Sequence, residues 1–188
     1  MLMRNFIILI SILLFISCAA VGTKTIYSTN TRPSVQRIGY FTLGNIDTLS
    51  MIYPETSLAF DSTISKYANI YSLDIPMKIK YTEDSQINND IISEICRQNN
   101  LDALLITDLR FIHTTYTAFF VPIVSNYDTE VEMQLYDQDG KLLYVTMHNT
   151  YKGNSYMMSP SAEKTIHDGV KGAFVRIAKE IGWKVQTK

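Results

Sequence analysis

Cysteine is nearly absent: the 188 residues carry two, Cys18 and Cys96. Two thiols permit one bridge at most, so no disulfide framework holds this chain and an apolar core must do so. An excess of basic residues is also missing. Lys and Arg number 17 against 18 Asp and Glu, a net charge of −1, which excludes the basic footprint of a nucleic-acid binder. There is neither a polybasic run nor an acidic tail. Histidine is limited to His113, His148 and His167, none paired at a metal-ligand spacing such as H-x-x-x-H. They read as surface or half-buried histidines, and no metal site or cofactor is expected. Nucleophile elbow, P-loop and G-x-G-x-x-G are all absent. Asp102 and Asp108 flank one strand and could form an acid–base pair. Asp102 fits a helix-to-strand turn better, and Asp108 a polar edge. Glu130 and Glu132 alternate with Val131 and Met133, as the solvated face of a strand does. No enzymatic activity is expected. The last thing missing is a long apolar run: Phe6 to Ile16, broken only by Ser11, falls well short of the ~20 residues that span a bilayer.

What stands at that N-terminus is organised. Arg4 precedes the apolar run, which stops at Phe15-Ile16-Ser17-Cys18-Ala19. A small residue before a cysteine at the end of such a run resembles the lipobox of bacterial lipoproteins. The resemblance implies a signal peptide over residues 1–17, cleavage before Cys18, and acyl chains on that cysteine. Phe15 departs from the usual Leu three residues before the cysteine. No acidic residue follows among Ala19-Ala20-Val21-Gly22. By the sorting rules of such proteins, that implies the inner leaflet of the outer membrane, facing the periplasm. With ~0.8 kcal/mol per buried methylene, such anchoring would be effectively permanent. Residues 18–34 read as lipidated cysteine plus flexible tether. Thr23 to Pro33 is polar with little apolar content, and at ~3.3 Å per residue could lift the domain up to ~50 Å.

Residues 35–188 read as a single α/β domain. Val35 to Ile46 is rich in β-formers. Leu58 to Ile70 spaces Leu58, Ile64, Tyr67 and Ala68 as a helix does. Tyr71 to Tyr81 alternates like a strand, with Pro76 demanding an edge or a bulge. Glu83 to Asn99 is a helix with Ile87, Ile91, Ile92 and Ile95 on one face, stopped at Asn99-Asn100. Leu101 to His113 is a strand buried on both faces. Asp128 to Tyr136 and Lys141 to Tyr151 form a hairpin about the Asp137-Gln138-Asp139-Gly140 turn. A final helix is capped by Ser159 with Pro160 in its first turn. It runs through Ile166, Val170, Phe174 and Ile177 and ends at Gly182, with Trp183 folding back. The order is β-α-β-α-β-β-β-α: an α/β sandwich with a mixed sheet of about five strands and three helices.

Two stretches expected as loops hold unusual apolar content. Tyr116, Phe119, Phe120, Val121 and Ile123 lie between the third and fourth strands. Tyr156, Met157 and Met158 lie between the fifth strand and the last helix. If those strands form a meander, both loops leave one end of the sheet. Aromatic and Met side chains clustered there suit a partner-binding patch. The alternative is that Phe119 to Ile123 fold back onto the core as another short strand.

Four segments, Arg37-Ile38-Gly39-Tyr40-Phe41, Leu101 to Ile106, Val131 to Tyr144 and Gly169 to Ile181, give this order a resemblance. It is to a group of envelope lipoproteins that includes the curli secretion channel protein CsgG, the lipoprotein activators of penicillin-binding proteins and the N-terminal domain of TolB. The resemblance spans most of residues 35–183 and brings no catalytic residues. It implies binding to other envelope proteins or self-assembly. Thr114 to Tyr127 is too short for two membrane-crossing strands of ~9–11 residues each, which disfavours an outer-membrane pore. The expected role is an anchored, non-enzymatic docking or assembly factor. Alternatives are a small-ligand binder or hydrolase near the cell wall, with His113 and Asp108 in one pocket, and an oligomeric subunit of an export assembly.

Overall fold

The computed structural model describes residues 22–30, 32–43, 46–74, 76–80, 87–118, 121–150 and 161–185. Among them are strands β1 (Gly22–Ser28), β2 (Ile38–Leu43), β3 (Met77–Lys78), β4 (Ala103–Ala118), β5 (Val121–Asp137) and β6 (Leu142–Asn149). The helices are α1 (Ile46–Ile52), α2 (Glu55–Ile70), α3 (Asn89–Asn99) and α4 (Ala162–Ile181). The six strands form one mixed sheet in the order β1-β6-β5-β4-β2-β3. β2 runs parallel to β3 and β4, and the remaining pairs are antiparallel.

Alternation along the central strands places a core on each face. Ala103, Leu105, Val131, Met133 and Leu135 meet Phe60 and Ile64 of α2 and Ile166, Val170, Phe174 and Ile177 of α4. Leu104, Ile106 and Phe41, on the opposite face, meet Ile92 and Cys96 of α3. The β4 sequence is nearly continuously apolar at its start for this reason: both faces are covered there. Cys96 is a buried free thiol, and burial pushes its pKa up to about 11, so it packs as a small hydrophobe. Helix ends follow local chemistry. Asn88 accepts from the Ile91 amide at 2.9 Å, and Asn100 closes α3 in a left-handed conformation with φ 54°. Gly182 does the same for α4 with φ 85°. The Trp183 amide then donates to Ala178 at 2.9 Å, and its ring packs 5.9 Å from Phe174.

The α/β sandwich expected from the sequence is the fold, with one more strand and one more helix. Several boundaries differ. Ile46 opens α1 instead of closing a strand. Leu58, expected on the apolar face of a helix, is 64% exposed, and Phe60 takes the core position. Among the described residues of Tyr71 to Tyr81, Met77–Lys78 form the strand, at the sheet edge after Pro76. Ser161, not Ser159, caps α4 through its hydroxyl, which accepts from the Lys164 amide; Ser159 and Pro160 lie outside the described residues.

The largest correction concerns the tether. Gly22–Ser28 is not free chain but a sheet edge, paired antiparallel with β6 from Gly22 opposite Asn149 to Ser28 opposite Tyr144. A solvated edge strand needs no apolar alternation, because its backbone ladder holds it. Two side-chain bonds add to that ladder. Thr25 Oγ1 donates to Glu180 at 2.8 Å and accepts from Arg176 at 2.6 Å.

Candidate protein-binding surface

β4 and β5 outrun the sheet. β2 leaves β4 at Asp108, and β6 leaves β5 at Glu130. Beyond those points, among the described residues, Phe111–Ala118 and Val121–Asp128 have only the β4–β5 ladder. They form a two-stranded arm of eight residues per strand, ~27 Å long at ~3.4 Å per residue. The stretch expected as an apolar loop is therefore mostly strand. Tyr116 sits in register with Val124 inside the arm. Its β-branched and aromatic residues, Thr114, Thr115, Tyr116, Thr117, Val121, Ile123 and Val124, are good strand formers. From Phe111 to Tyr127 there is no Asp, Glu, Lys or Arg. At eight residues each, the arm strands remain below the membrane-crossing length. Phe119, Phe120, Tyr156, Met157, Met158 and Cys18 lie outside the described residues.

The arm is clamped at its base. Thr129 Oγ1 donates to the Thr165 carbonyl at 2.9 Å, and the Thr129 amide donates to Thr150 Oγ1 at 2.7 Å. All three threonines are buried. Gly169 lets α4 approach: a Cβ there would stand 2.7 Å from Thr129 Oγ1 and 2.8 Å from Val131 Cγ2. Thr129→Val leaves a buried amide–hydroxyl network short of a member, so a loss of about 1–3 kcal/mol is expected. Urea titration by circular dichroism checks it, and an unchanged midpoint would show that the clamp contributes nothing.

Beside the base lies an aromatic cluster. His113 stacks on Tyr127 at 4.7 Å, and Tyr53 approaches Tyr127 edge-on at 5.5 Å. The Tyr53 hydroxyl lies 3.1 Å from His113 Nδ1. Tyr53 follows α1 directly, so Met51 and Ile52, 83% and 68% exposed, stand at the same end, as does Ile112 at 51%.

The other chemistry-bearing residues do not converge. Asp102 Oδ2 accepts the Gln36 and Arg37 amides at 2.9 and 2.8 Å, a turn-holding role as its position suggests. Asp108 and Arg110 share one face of β4, with Arg110 reaching Glu130 at 3.3 Å. His113, five residues beyond Asp108, lies on the opposite face by strand alternation. The pocket required of a His113–Asp108 hydrolase is therefore not formed. His167 lies 3.2 Å from Asp168. Among the described residues no group of three His, Cys, Asp or Glu could hold a metal ion.

His148 is the histidine with a distinct setting. Its Nδ1 bonds to Thr23 Oγ1 across the β1–β6 ladder, and a side chain on Gly172 would collide with its ring. A groove of about 320 Å³ opens there, lined by Thr23, His148, Thr150, Asp168, Lys171 and Gly172. Burial holds the His148 pKa below the ordinary value, against the opposing pull of Asp168. The unfolded state then binds the proton more readily. His148 therefore stabilises the fold above about pH 6.5 and withdraws that contribution as pH falls through this value. Urea midpoints taken from pH 7.5 to 5.5 are expected to fall, and to fall less in His148→Gln.

Comparison with known proteins finds likeness in structure only. No family model and no curated protein matches the sequence. A dodecameric PelC from Paraburkholderia phytofirmans superposes with TM-score 0.54 at 6% identity, covering 88% of this chain and 99% of that one. A single-substitution form of the same dodecamer gives 0.53 at 7%, covering 88% and 100%. These matches show a shared fold. A lipoprotein of Neisseria meningitidis superposes at only 0.33 with 13% identity, covering 77% of this chain and 99% of that one.

Proposed function

We propose that this protein is a lipid-anchored, non-enzymatic envelope factor that assembles with itself or docks on an envelope protein through the arm. The observation that carries the proposal is the arm itself. A two-stranded ribbon is marginal in water on its own. Among the described residues, Thr114–Ala118 and Val121–Tyr127 pair with each other and with no third strand. Natural proteins blunt such edges with charge, above all Lys, or with Pro; here charge is absent over 17 residues, and Pro122 removes one edge donor. An uncharged double edge suits strand addition from a second chain. The structural likeness to a dodecamer supports self-assembly as the first form to test. Anchoring at Cys18 and outer-membrane residence rest on the lipobox resemblance.

The test is sedimentation of the full acylated chain in mild detergent, alongside affinity capture from gently cross-linked envelopes. A concentration-dependent oligomer supports assembly. One dominant co-captured envelope protein supports docking. A monomer at every concentration with nothing captured would refute both.

A further inference from the structure

The two edges of the arm are not equivalent. Its ladder has one irregularity. Tyr116 pairs with Val124 and Thr117 with Pro122, so the extra residue, Ile123, belongs to β5 and β4 stays regular. A bulge bends the strand that carries it. Pro122, beside it, has no amide to donate. The base of the β5 edge is also taken. The Thr150 amide donates to the Thr129 carbonyl at 2.9 Å, and the Thr129 amide donates to Thr150 Oγ1 at 2.7 Å. Asp128 follows as a buried acidic residue. Between that acid and the bulge, β5 offers Val124–Tyr127. The β4 edge is longer and cleaner. β2 stops pairing with it at Asp108, and Phe111–Ala118 carry no charge, no proline and no bulge.

We propose that two copies of this chain join by pairing the β4 edges of their arms antiparallel about a two-fold axis, forming one four-stranded sheet in the order β5-β4-β4-β5. The inference rests on the arm as the docking element and names its partner. A strand that fills the β4 edge along its length must be as long, keep all its amides and lack edge lysines, which block strand addition. Among the described edges, β1 carries Lys24 and a bulge between Thr25 and Tyr27. β3 is two residues long and carries Lys78. The β5 edge is interrupted at Pro122 and Ile123. The edge that meets the requirement is β4 itself, so the occupant is a second copy. A surface complementary to itself makes an isologous contact closed by a two-fold axis. A head-to-tail ring would instead have to pair β4 with the interrupted β5 edge. Full overlap of Phe111–Ala118 sets Thr114 opposite Thr115 of the partner subunit, and such cross-strand threonine pairs are favourable. Leu109 and Arg110 stand between this new ladder and the end of β2 at Leu43 opposite Asp108. The added strand therefore stops short of the part of β4 that β2 occupies.

Sedimentation velocity of the full chain in mild detergent tests this with two substitutions. Thr115 and Ser125 oppose each other in the ladder. Thr115→Lys and Ser125→Lys therefore place the same charge on the same face at the same height of the arm, one on each strand. The parent is expected to form even-numbered oligomers, the dimer first. Thr115→Lys should raise the dissociation constant at least ~10-fold, and Ser125→Lys should leave it within about twofold. Circular dichroism checks that both remain folded, and Thr115→Asp with Ser125→Asp repeats the comparison with the opposite charge. Dissociation by both substitutions would mean that β4 pairs with β5 of the next copy and would overturn this inference alone. So would dissociation by Ser125→Lys only, or an oligomer with an odd number of copies. An oligomer indifferent to both would overturn the arm as the docking element as well. A parent that is monomeric at every concentration would overturn the pairing and leave docking on an envelope protein to the capture experiment.

Discussion

Removing the arm, by joining Ile112 to Asp128 through an Asn-Gly turn, is expected to abolish oligomer formation and partner capture while leaving the folded core intact. Ile112 and Asp128 are directly opposed in the ladder, so a two-residue type I′ turn closes the shortened hairpin without strain. Among the described residues, nothing between them belongs to either core cluster. The shortened protein keeps the β4 and β5 positions that meet α2, α3 and α4. Its thermal midpoint should therefore stay within a few degrees of the parent. The association state should change completely, because both open edges of the arm are gone. Circular dichroism reads the thermal midpoint and sedimentation velocity the association state. Persistence of the oligomer in the shortened chain would assign assembly to another surface. A collapse of the thermal midpoint would show that the arm supports the core, against the packing described here.

Phe174→Ala should have the largest effect on stability. The ring is 1% exposed and stands within 6.5 Å of Tyr67, 6.3 Å of Tyr71 and 5.9 Å of Trp183. It joins α2, α4 and the C-terminal cap in one cluster. Truncation removes its transfer energy and leaves a cavity that three aromatic neighbours cannot fill together, a loss of about 3–5 kcal/mol. Against a typical total of about 5–15 kcal/mol, much of the native population is at stake. The urea midpoint measures it. A loss below about 1 kcal/mol would mean that the cluster repacks and that the helix-to-helix contact depends on something else.

The elements most legible in the sequence are those with both a period and punctuation. The last helix shows its apolar stripe from Ile166 to Ile181 and its Gly182 stop. The β5–β6 hairpin shows alternation on either side of Asp137 to Gly140. There the Asp137 carboxylate accepts the Asp139 and Lys141 amides at 3.0 and 2.9 Å. The meander topology also placed the β4–β5 and β6–α4 connections at one end. Thr150 and Thr129 bond at the base of the arm, while the β4–β5 connection lies at its far tip. β1 was hidden because six of its seven residues are exposed, so burial leaves no pattern in Gly22 to Ser28. It is recognised only through its partner strand. The arm was hidden for the opposite reason. Thr114 to Thr117, Val121, Ile123 and Val124 carry strand propensity, but Pro122 interrupts it and two-sided apolar and polar mixing gives no face to read. Phe119, Phe120, Tyr156, Met157 and Met158, on which the partner-binding expectation rested, lie outside the described residues. Tyr53, Met51 and Ile52 were missed: Met51 and Ile52 close the short helix α1 and Tyr53 follows it, in a stretch to which the sequence pattern assigned no element.

The docking of β1 also decides how this protein would carry mechanical load. A pull on the chain before Gly22, directed along the strand and away from the domain, slides β1 past β6. It does not peel the strand off pair by pair. The ladder from Gly22–Asn149 to Ser28–Tyr144 then bears the force in shear, with all its bonds loaded at once. The Thr25, Glu180 and Arg176 bonds stand as a cross-brace to the last helix. A strand that looks dispensable by its exposure is the coupling through which tension at the N-terminus reaches the core.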